Sequence, residues 1–218
     1  MRIRFKPWAR PELEACNFYI DNPEDYKGMW KEKFYNNNPI HLELGCGKGG
    51  FISNLASLHL NTNYIAIDVV DAMLGLAKRN IEAVYKEKNI EVKNIYITRF
   101  DIERILQILD EKDEIDRIYI NFCNPWPRGK HRKKRLTHSR QLEKYKVFLK
   151  NNGQIYFKTD DEGLFKDTIH YLEDSGFKIL KKTFNLEQEE NFWDNIQTEH
   201  EKMFMEQGIK IKALIAQK

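Results

Sequence analysis

Glycines follow one predicted strand at a spacing that suits the binding of a nucleotide-like ligand. The strand of residues 40–44 leads directly into a glycine-rich loop that ends at residue 50. Gly45 and Gly47 let the backbone turn sharply and approach a ligand closely. This pattern occurs in sites for dinucleotides, in sites for S-adenosylmethionine, and in tight turns that bind nothing.

Three acidic side chains near predicted strand ends favour S-adenosylmethionine among these ligands. Glu43 comes just before the first glycine, where its carboxylate can face an ammonium group and would repel a pyrophosphate. Asp68 ends the next strand, where a carboxylate can accept hydrogen bonds from ribose hydroxyls. Asp101 follows the third strand, and it can accept from the adenine amino group, cap the following helix, or do both.

A stiff aromatic loop follows the fourth predicted strand. Residues 123–127 read Cys-Asn-Pro-Trp-Pro, and two prolines around Trp126 restrict the backbone. Such a loop can hold a base by stacking and by hydrogen bonds to its edge, although a packed surface turn has the same composition.

Residues 128–137, which follow this loop, are rich in lysine and arginine and form a basic run. It is either a solvated face or an arm that grips phosphates, and its place beside a strand-end loop favours the arm.

Strand and helix patterns alternate from residue 40 onward. We expect strands near residues 40–44, 64–67, 94–98, 115–122, 153–158, 177–184 and 209–216. We expect helices near residues 49–58, 73–85, 102–109, 139–149 and 162–174. This alternation predicts a doubly wound α/β fold with a mostly parallel sheet of about seven strands. Ligands of such sheets bind beyond the carboxyl ends of the strands.

The chain is predicted to form one domain with an N-terminal arm. Residues 1–38 are predicted to be this arm, irregular or partly helical, and residues 39–218 the main part of the domain.

Composition excludes several other classes of protein. The chain has 218 residues and a formal net charge of +3, which suits one α/β domain. Its three cysteines are far apart and its six histidines form no ligand cluster, so we expect no disulfide, no metal site and a cytoplasmic location. No apolar run approaches the roughly 20 residues that span a bilayer, and no secretory signal is evident.

Five segments, in order, resemble the bacterial tRNA (guanine-N7)-methyltransferases of the TrmB family, and the likeness covers nearly the whole chain. Residues 4–9 and 22–28 resemble the family's N-terminal arm, and residues 43–50 its cofactor loop. Residues 121–137 resemble its N-F-x-D-P-W-P segment with the basic run H-x-K-R-R-L-T. Residues 157–160 and 198–201 resemble two further segments. Two positions depart from the family: Asn124 replaces its usual Asp, and His200 its usual Tyr.

The resemblance implies a Rossmann-like class I methyltransferase that uses S-adenosylmethionine and releases S-adenosylhomocysteine. The implied acceptor is N7 of the guanine at position 46, in the variable loop of tRNA. No metal, membrane or obligatory protein partner is implied, and the chain would act as a monomer or homodimer.

The resemblance also implies a role for particular residues. The implied cofactor-binding residues are Glu43, Gly45, Gly47, Asp68, Asp101 and Asn124. Asn124 would also be the catalytic residue. The implied substrate-binding residues are Arg128, Asp160, Thr198, Glu199, His200 and Glu201. The implied RNA-binding residues are Lys130, His131, Arg132, Lys133, Lys134 and Arg135.

The chemistry of guanine N7 makes few demands on the protein. N7 carries an in-plane lone pair and no proton, so it attacks a sulfonium methyl group without a general base. Catalysis then consists of alignment and of stabilising the cationic product base. Asn124 can accept a hydrogen bond from the guanine edge through its carbonyl oxygen, but it lacks a carboxylate's charge. We expect Asp160 or Glu201 to supply that charge.

Two other functions remain open on the sequence. The Asn-Pro-Trp-Pro loop is similar to the N-P-P-[YFW] loop of methyltransferases that act on the amino groups of adenine or cytosine. That function would explain Asn124 but neither the basic run nor the arm. A non-catalytic RNA-binding relative is the second alternative. The glycines with Glu43 and Asp68 argue against it, because such a protein needs no donor pocket.

Overall fold

The computed structural model describes residues 4–190, 192–193 and 195–218. The chain divides into two compact units, one ending at Asp113 and the other beginning at Glu114. None of the helices in these ranges is long and apolar enough to cross a membrane.

The first unit contains a parallel sheet. Its strands are β1 (Tyr19–Ile20), β2 (Ile40–Leu44), β3 (Asn63–Asp68) and β4 (Ile95–Arg99), and its helices are α1 (Ala9–Glu14), α2 (Trp30–Phe34), α3 (Gly50–Leu58) and α4 (Asp71–Glu87). The strand order is β1-β4-β3-β2, with every neighbouring pair parallel. Nearly all residues of β2 and β3 are buried, as is typical of parallel strands covered on both faces. The carboxyl ends of β2, β3 and β4 therefore share one edge.

The N-terminal arm is more regular than its sequence predicts. Helix α1 packs closely on α4, since a Cβ on Gly75 would lie 2.8 Å from the Cβ of Ala9. Arg79 on α4 stacks over the Trp8 ring at 3.6 Å and pairs with Glu12 at 2.5 Å. Strand β1 adds to the sheet beside β4. A two-residue strand carries too little periodicity to be recognised, so the sheet strands number eight rather than about seven in the described residues.

The second unit contains a mixed sheet. Its strands are β5 (Ile115–Asn121), β6 (Leu149–Thr159), β7 (Lys178–Thr183) and β8 (Lys212–Gln217), and its helices are α5 (Ser139–Phe148), α6 (Glu162–Asp174) and α7 (Glu199–Glu206). The strand order is β5-β6-β8-β7, with β5 and β6 parallel and β8 antiparallel to both of its neighbours. The carboxyl ends of β5 and β6 therefore lie at the same edge.

The predicted fold class, doubly wound and mostly parallel, is confirmed. The predicted helix at residues 102–109 is instead a 3-10 segment, Ile102–Gln107, with a kink at Arg104. The predicted strand at residues 209–216 begins later, at Lys212, and the strand at residues 153–158 begins earlier, at Leu149.

Candidate functional site

The glycine loop forms a sharp turn at the end of β2. Gly45, Gly47 and Gly49 all have positive φ, at 79°, 54° and 72°. A Cβ on Gly49 would lie 2.7 Å from the Cβ of Ala77, so only glycine fits where the loop meets α4. A Cβ on Gly47 would meet none of the described atoms within 4 Å, so open space lies beside this part of the turn.

Asp68 holds this turn from the end of β3. One carboxylate oxygen accepts the Gly47 N–H at 2.9 Å and the other accepts the Val70 N–H at 2.9 Å. Burial raises the pKa of the Asp68 carboxyl, and these backbone donors oppose the rise. The side chain remains partly exposed, so it fixes the loop and still faces outward at the strand-end edge.

A second carboxylate lies close to the same turn. Glu43, the penultimate residue of β2, is only 2% exposed. Burial raises the pKa of the neighbouring Cys46 thiol, and the negative charges of Asp68 and Glu43 raise it further. The turn is therefore a region of negative potential, which suits a ligand with cationic groups and disfavours a pyrophosphate.

Asp101 caps the segment that follows β4. Its side chain accepts the Glu103 N–H at 2.9 Å, so the capping role is observed. The Phe100 N–H donates to the backbone carbonyl of Asp68 at 3.0 Å, which ties the ends of β3 and β4 together. Asp101 is exposed, so a role at the adenine amino group remains a prediction.

The loop after β5 takes a strained path. Phe122 and Trp126 have positive φ, at 50° and 41°, which non-glycine residues rarely adopt. The side-chain oxygen of Asn124 accepts the Trp126 N–H at 3.0 Å, so this residue stabilises the turn that it begins. Asn124 is exposed, whereas Trp126 is partly covered by His131, at 5.7 Å between ring centroids. Lys134 also covers the Trp126 ring, at 5.3 Å.

Asp160 lies beside this loop, at the end of β6. The strand β6 pairs with β5, and the Phe122 N–H donates to the Lys158 carbonyl at 2.9 Å. Burial raises the pKa of Cys123 to about 12, and the negative charge of Asp160 contributes to that rise. The carboxylate of Asp160 is therefore close to the residue that precedes Asn124.

The basic run divides into an exposed part and a buried part. A 3-10 segment, Gly129–Lys134, presents its cationic side chains to solvent. Arg135 differs, because it is 3% exposed and its Nε donates to the Pro125 carbonyl at 2.7 Å. The same guanidinium pairs with Asp167 on α6 at 2.5 Å. The predicted RNA contact of Arg135 therefore conflicts with its burial, since a phosphate would have to displace Asp167.

The segment at residues 198–201 begins helix α7. The Thr198 side chain accepts the Glu201 N–H at 3.0 Å, and the Glu201 carboxylate accepts the Thr198 N–H at 3.4 Å, which completes a capping box. Thr198 and Glu201 are buried, at 8% and 2% exposed. Glu199 and His200 are exposed, and the His200 ring stacks on Phe122 with a centroid distance of 6.0 Å.

Lys158 is a functional candidate that the sequence analysis missed. It is 1% exposed, and its Nζ lies 2.7 Å from the Glu201 carboxylate. It also donates to the side chain of Asn195 at 2.9 Å and to the carbonyl of Ile196 at 3.1 Å. Of the two acids expected to supply a negative charge to the base, Asp160 and Glu201, the structure pairs Glu201 with the buried Lys158. The signal for this pair was a lysine that directly follows the apolar residues 155–157 within the same strand.

The described residues contain no cluster of three or more His, Cys, Asp or Glu side chains that could hold a metal ion. Trp193 packs on Tyr156 at 5.1 Å and on Phe192 at 5.0 Å between ring centroids. It belongs to the edge of an apolar cluster with Leu186 and Ile211.

The family model and the curated relatives agree on the class of enzyme. The family described as "Putative methyltransferase" matches residues 37–214. The chain is 58% identical over 218 residues to a tRNA (guanine-N(7)-)-methyltransferase of Clostridium beijerinckii, covering 100% of this chain and 99% of that one. It is 59% identical over 216 residues to the enzyme of the same name from Clostridium botulinum, covering 99% and 98%. A solved "Antibiotic Related Methyltransferase" has a TM-score of 0.61 and 20% identity, covering 89% of this chain and 93% of that one. At that identity the structural likeness shows the fold alone.

Proposed function

The chain belongs to the family of the tRNA (guanine-N(7)-)-methyltransferases, and we infer that it transfers a methyl group from S-adenosylmethionine to N7 of guanine in tRNA. The observation that carries this inference is that more than half of the residues are identical to those of curated relatives of that name, over nearly the full length of both chains. We propose further that the acceptor is the guanine at position 46, in the variable loop.

The glycine turn of the first unit fits the methyl donor. S-adenosylmethionine carries a cationic sulfonium and an ammonium group, and it supplies an electrophilic methyl group when bound. Glu43 and Asp68 surround the turn with negative charge, and Gly47 leaves open space beside it. In this proposal Gly45 and Gly47 admit the donor, Glu43 faces its ammonium group, Asp68 accepts from its ribose hydroxyls, and Asp101 accepts from its adenine.

The loop after β5 fits the acceptor base. The reaction forms a bond from N7 to the methyl carbon as the sulfonium bond breaks, so the positive charge moves onto the base. In this proposal Asn124 accepts from the guanine edge, and Asp160 supplies the negative charge that Asn124 lacks. Arg128, Glu199 and His200 contact the substrate from the exposed surface, whereas Thr198 and Glu201 hold that surface in place.

The exposed basic segment fits the RNA backbone. We propose that Lys130, His131, Arg132, Lys133 and Lys134 contact phosphates of tRNA. All of them but the half-buried His131 are exposed cations, and this density on one short segment is typical of backbone binding. A cytoplasmic location, and a monomer or homodimer that needs no other protein, also remain predictions.

A methyl-transfer assay tests the proposed function. Unmodified tRNA, labelled S-adenosylmethionine and the purified chain are incubated, and the product nucleosides are separated. We expect label in 7-methylguanosine, and none when the variable-loop guanine is replaced by adenine. Label in methylated adenine or cytosine would support the amino-methyltransferase alternative, and donor binding without any transfer would support the non-catalytic one.

Substituting Asn124 with aspartate is expected to raise turnover by several-fold. Aspartate can accept the Trp126 N–H as asparagine does, so the turn is kept while the missing charge is restored. The kcat at saturating tRNA is the quantity to measure. Asn61→Asp, at an exposed position of the first unit, is the matched control and should leave kcat unchanged. A lower turnover in Asn124→Asp than in the natural chain would disprove the charge argument.

A further inference from the structure

The loop after β5 needs an external support. Two non-glycine residues with positive φ, Phe122 and Trp126, flank Asn124, and such backbone conformations persist only where surrounding contacts hold them. The hydrogen bond from the Trp126 N–H to Asn124 is local and exposed. The Phe122 N–H is held by the Lys158 carbonyl of β6, so it is the part of the loop after Asn124 that needs a further contact from outside.

That contact comes from the basic run itself. The Nε of Arg135 donates to the Pro125 carbonyl at 2.7 Å, one residue after Asn124. Its Nη1 donates to Asp167 on α6 at 2.5 Å, and its side chain is 4% exposed. A guanidinium presents several donors in a rigid fork, so one side chain can hold the loop carbonyl and the helix carboxylate together.

The neighbouring residues anchor this part of the run further. The hydroxyls of Thr137 and Thr168 on α6 lie 2.7 Å apart in a buried contact. The Tyr145 hydroxyl donates to the Leu136 carbonyl at 3.0 Å. Residues 135–137 are thus fixed to the helices of the second unit, whereas the residues of Gly129–Lys134, apart from the half-buried His131, are exposed.

We propose that Arg135 is a positioning residue for the base-binding loop, with Asp167 as its counter-charge, and not a contact to RNA phosphate. This inference rests on the proposed function of that loop. The basic run then has two tasks. Its exposed cations bind the backbone of tRNA, and its last cation holds Asn124 and Trp126 in the geometry that transfer requires. Arg132, whose guanidinium lies 3.6 Å from the same Asp167, connects the two parts.

The salt dependence of tRNA binding distinguishes a positioning residue from a phosphate contact. Each phosphate contact contributes roughly 0.7–0.9 to the slope of log affinity against log salt concentration. Arg135→Gln and Lys133→Gln both remove one positive charge from the same run. We expect Lys133→Gln to reduce the slope by about that amount and to weaken binding. We expect Arg135→Gln to leave the slope unchanged while lowering kcat at saturating substrates by about tenfold or more.

Two further variants keep the proposal testable if Arg135→Gln folds poorly. Arg135→Lys keeps the charge but lacks the fork, so its kcat should fall with no change of slope. Asp167→Asn removes the counter-charge, and Glu162→Gln is its matched control in an exposed pair on the same helix. We expect kcat to fall in Asp167→Asn and to stay unchanged in Glu162→Gln.

Two results would overturn the proposal: a slope reduced equally in Arg135→Gln and Lys133→Gln, or normal kcat in both Arg135→Lys and Asp167→Asn. A failure of the proposed function would give a result distinct from a failure of the Arg135 proposal. In that case the natural chain itself forms no 7-methylguanosine, while the slope comparison still decides whether Arg135 contacts phosphate.

Discussion

Asp68→Asn is expected to weaken the binding of S-adenosylmethionine by about 100-fold. Asp68 accepts two backbone N–H groups, from Gly47 and Val70, on separate carboxylate oxygens. An asparagine has one acceptor oxygen, so its amide nitrogen would face one of these donors. Hydrogen bonds to charged groups contribute about 1.5–3 kcal/mol each. Losing one such bond from the turn and one to the donor's ribose weakens binding by about 3 kcal/mol or more.

The measurement is a calorimetric titration of the chain with S-adenosylmethionine and with S-adenosylhomocysteine. Glu82→Gln on α4 is the control, because its carboxylate pairs with Lys78 on the same helix and is 46% exposed. Binding of tRNA is measured in parallel, and it should stay normal in both variants, since the basic segment lies in the other unit. Donor affinity within about threefold of the natural chain in Asp68→Asn would contradict the proposed role.

Lys158→Met is expected to lower the free energy of unfolding by about 3–5 kcal/mol, because it leaves a buried carboxylate without its partner. Glu201 is 2% exposed, and Lys158 lies 2.7 Å from it. The pair holds the start of α7 against β6. Because Glu199 and His200 lie in the first turn of α7, the same variant should also weaken the substrate binding proposed for these two residues. Removing one member of a buried ion pair is far more damaging than replacing both.

Urea denaturation of four proteins tests this prediction: the natural chain, Lys158→Met, Glu201→Gln and the double variant. We expect the double variant to be more stable than Lys158→Met, since it contains no unpaired buried charge. Lys166→Met, in an exposed pair with Glu162, is the control and should change stability by less than about 1 kcal/mol. A double variant as unstable as the sum of the two single variants would show that the residues act independently.

The geometry of the turn proposed to bind the methyl donor was predictable because its signals are local. Each of Glu43, Gly45 and Asp68 lies at the end of an apolar strand, and parallel strands bring their carboxyl ends to one edge. Short runs of sequence are enough to predict where each strand ends. The predicted strand ends then identify the residues that lie at this edge of the sheet. Asp101 shows the limit of this reasoning, because capping was one of two roles that its position allowed.

The contacts around the loop proposed to bind the base could not be predicted from the sequence, because they join distant parts of the chain. In sequence, Arg135 is one cation among several, and nothing in the run distinguishes it from Lys133 or Lys134. Its burial follows from the packing of α6, which places Asp167 beside it. Glu201 is an acid in a family-like segment, and its partner Lys158 lies 43 residues earlier.

The sequence by itself determined the class of fold, the strand-end positions of the residues proposed to bind the donor, the exposed basic segment and the family. These properties depend on the periodicity of apolar residues and on short segments whose members are neighbours in the chain. Only the tertiary structure decided which charged side chains face solvent and which are neutralised inside. Burial and ion pairing depend on residues that folding brings together, so Arg135 and Glu201 are buried in ion pairs although their residue types suggested substrate contacts.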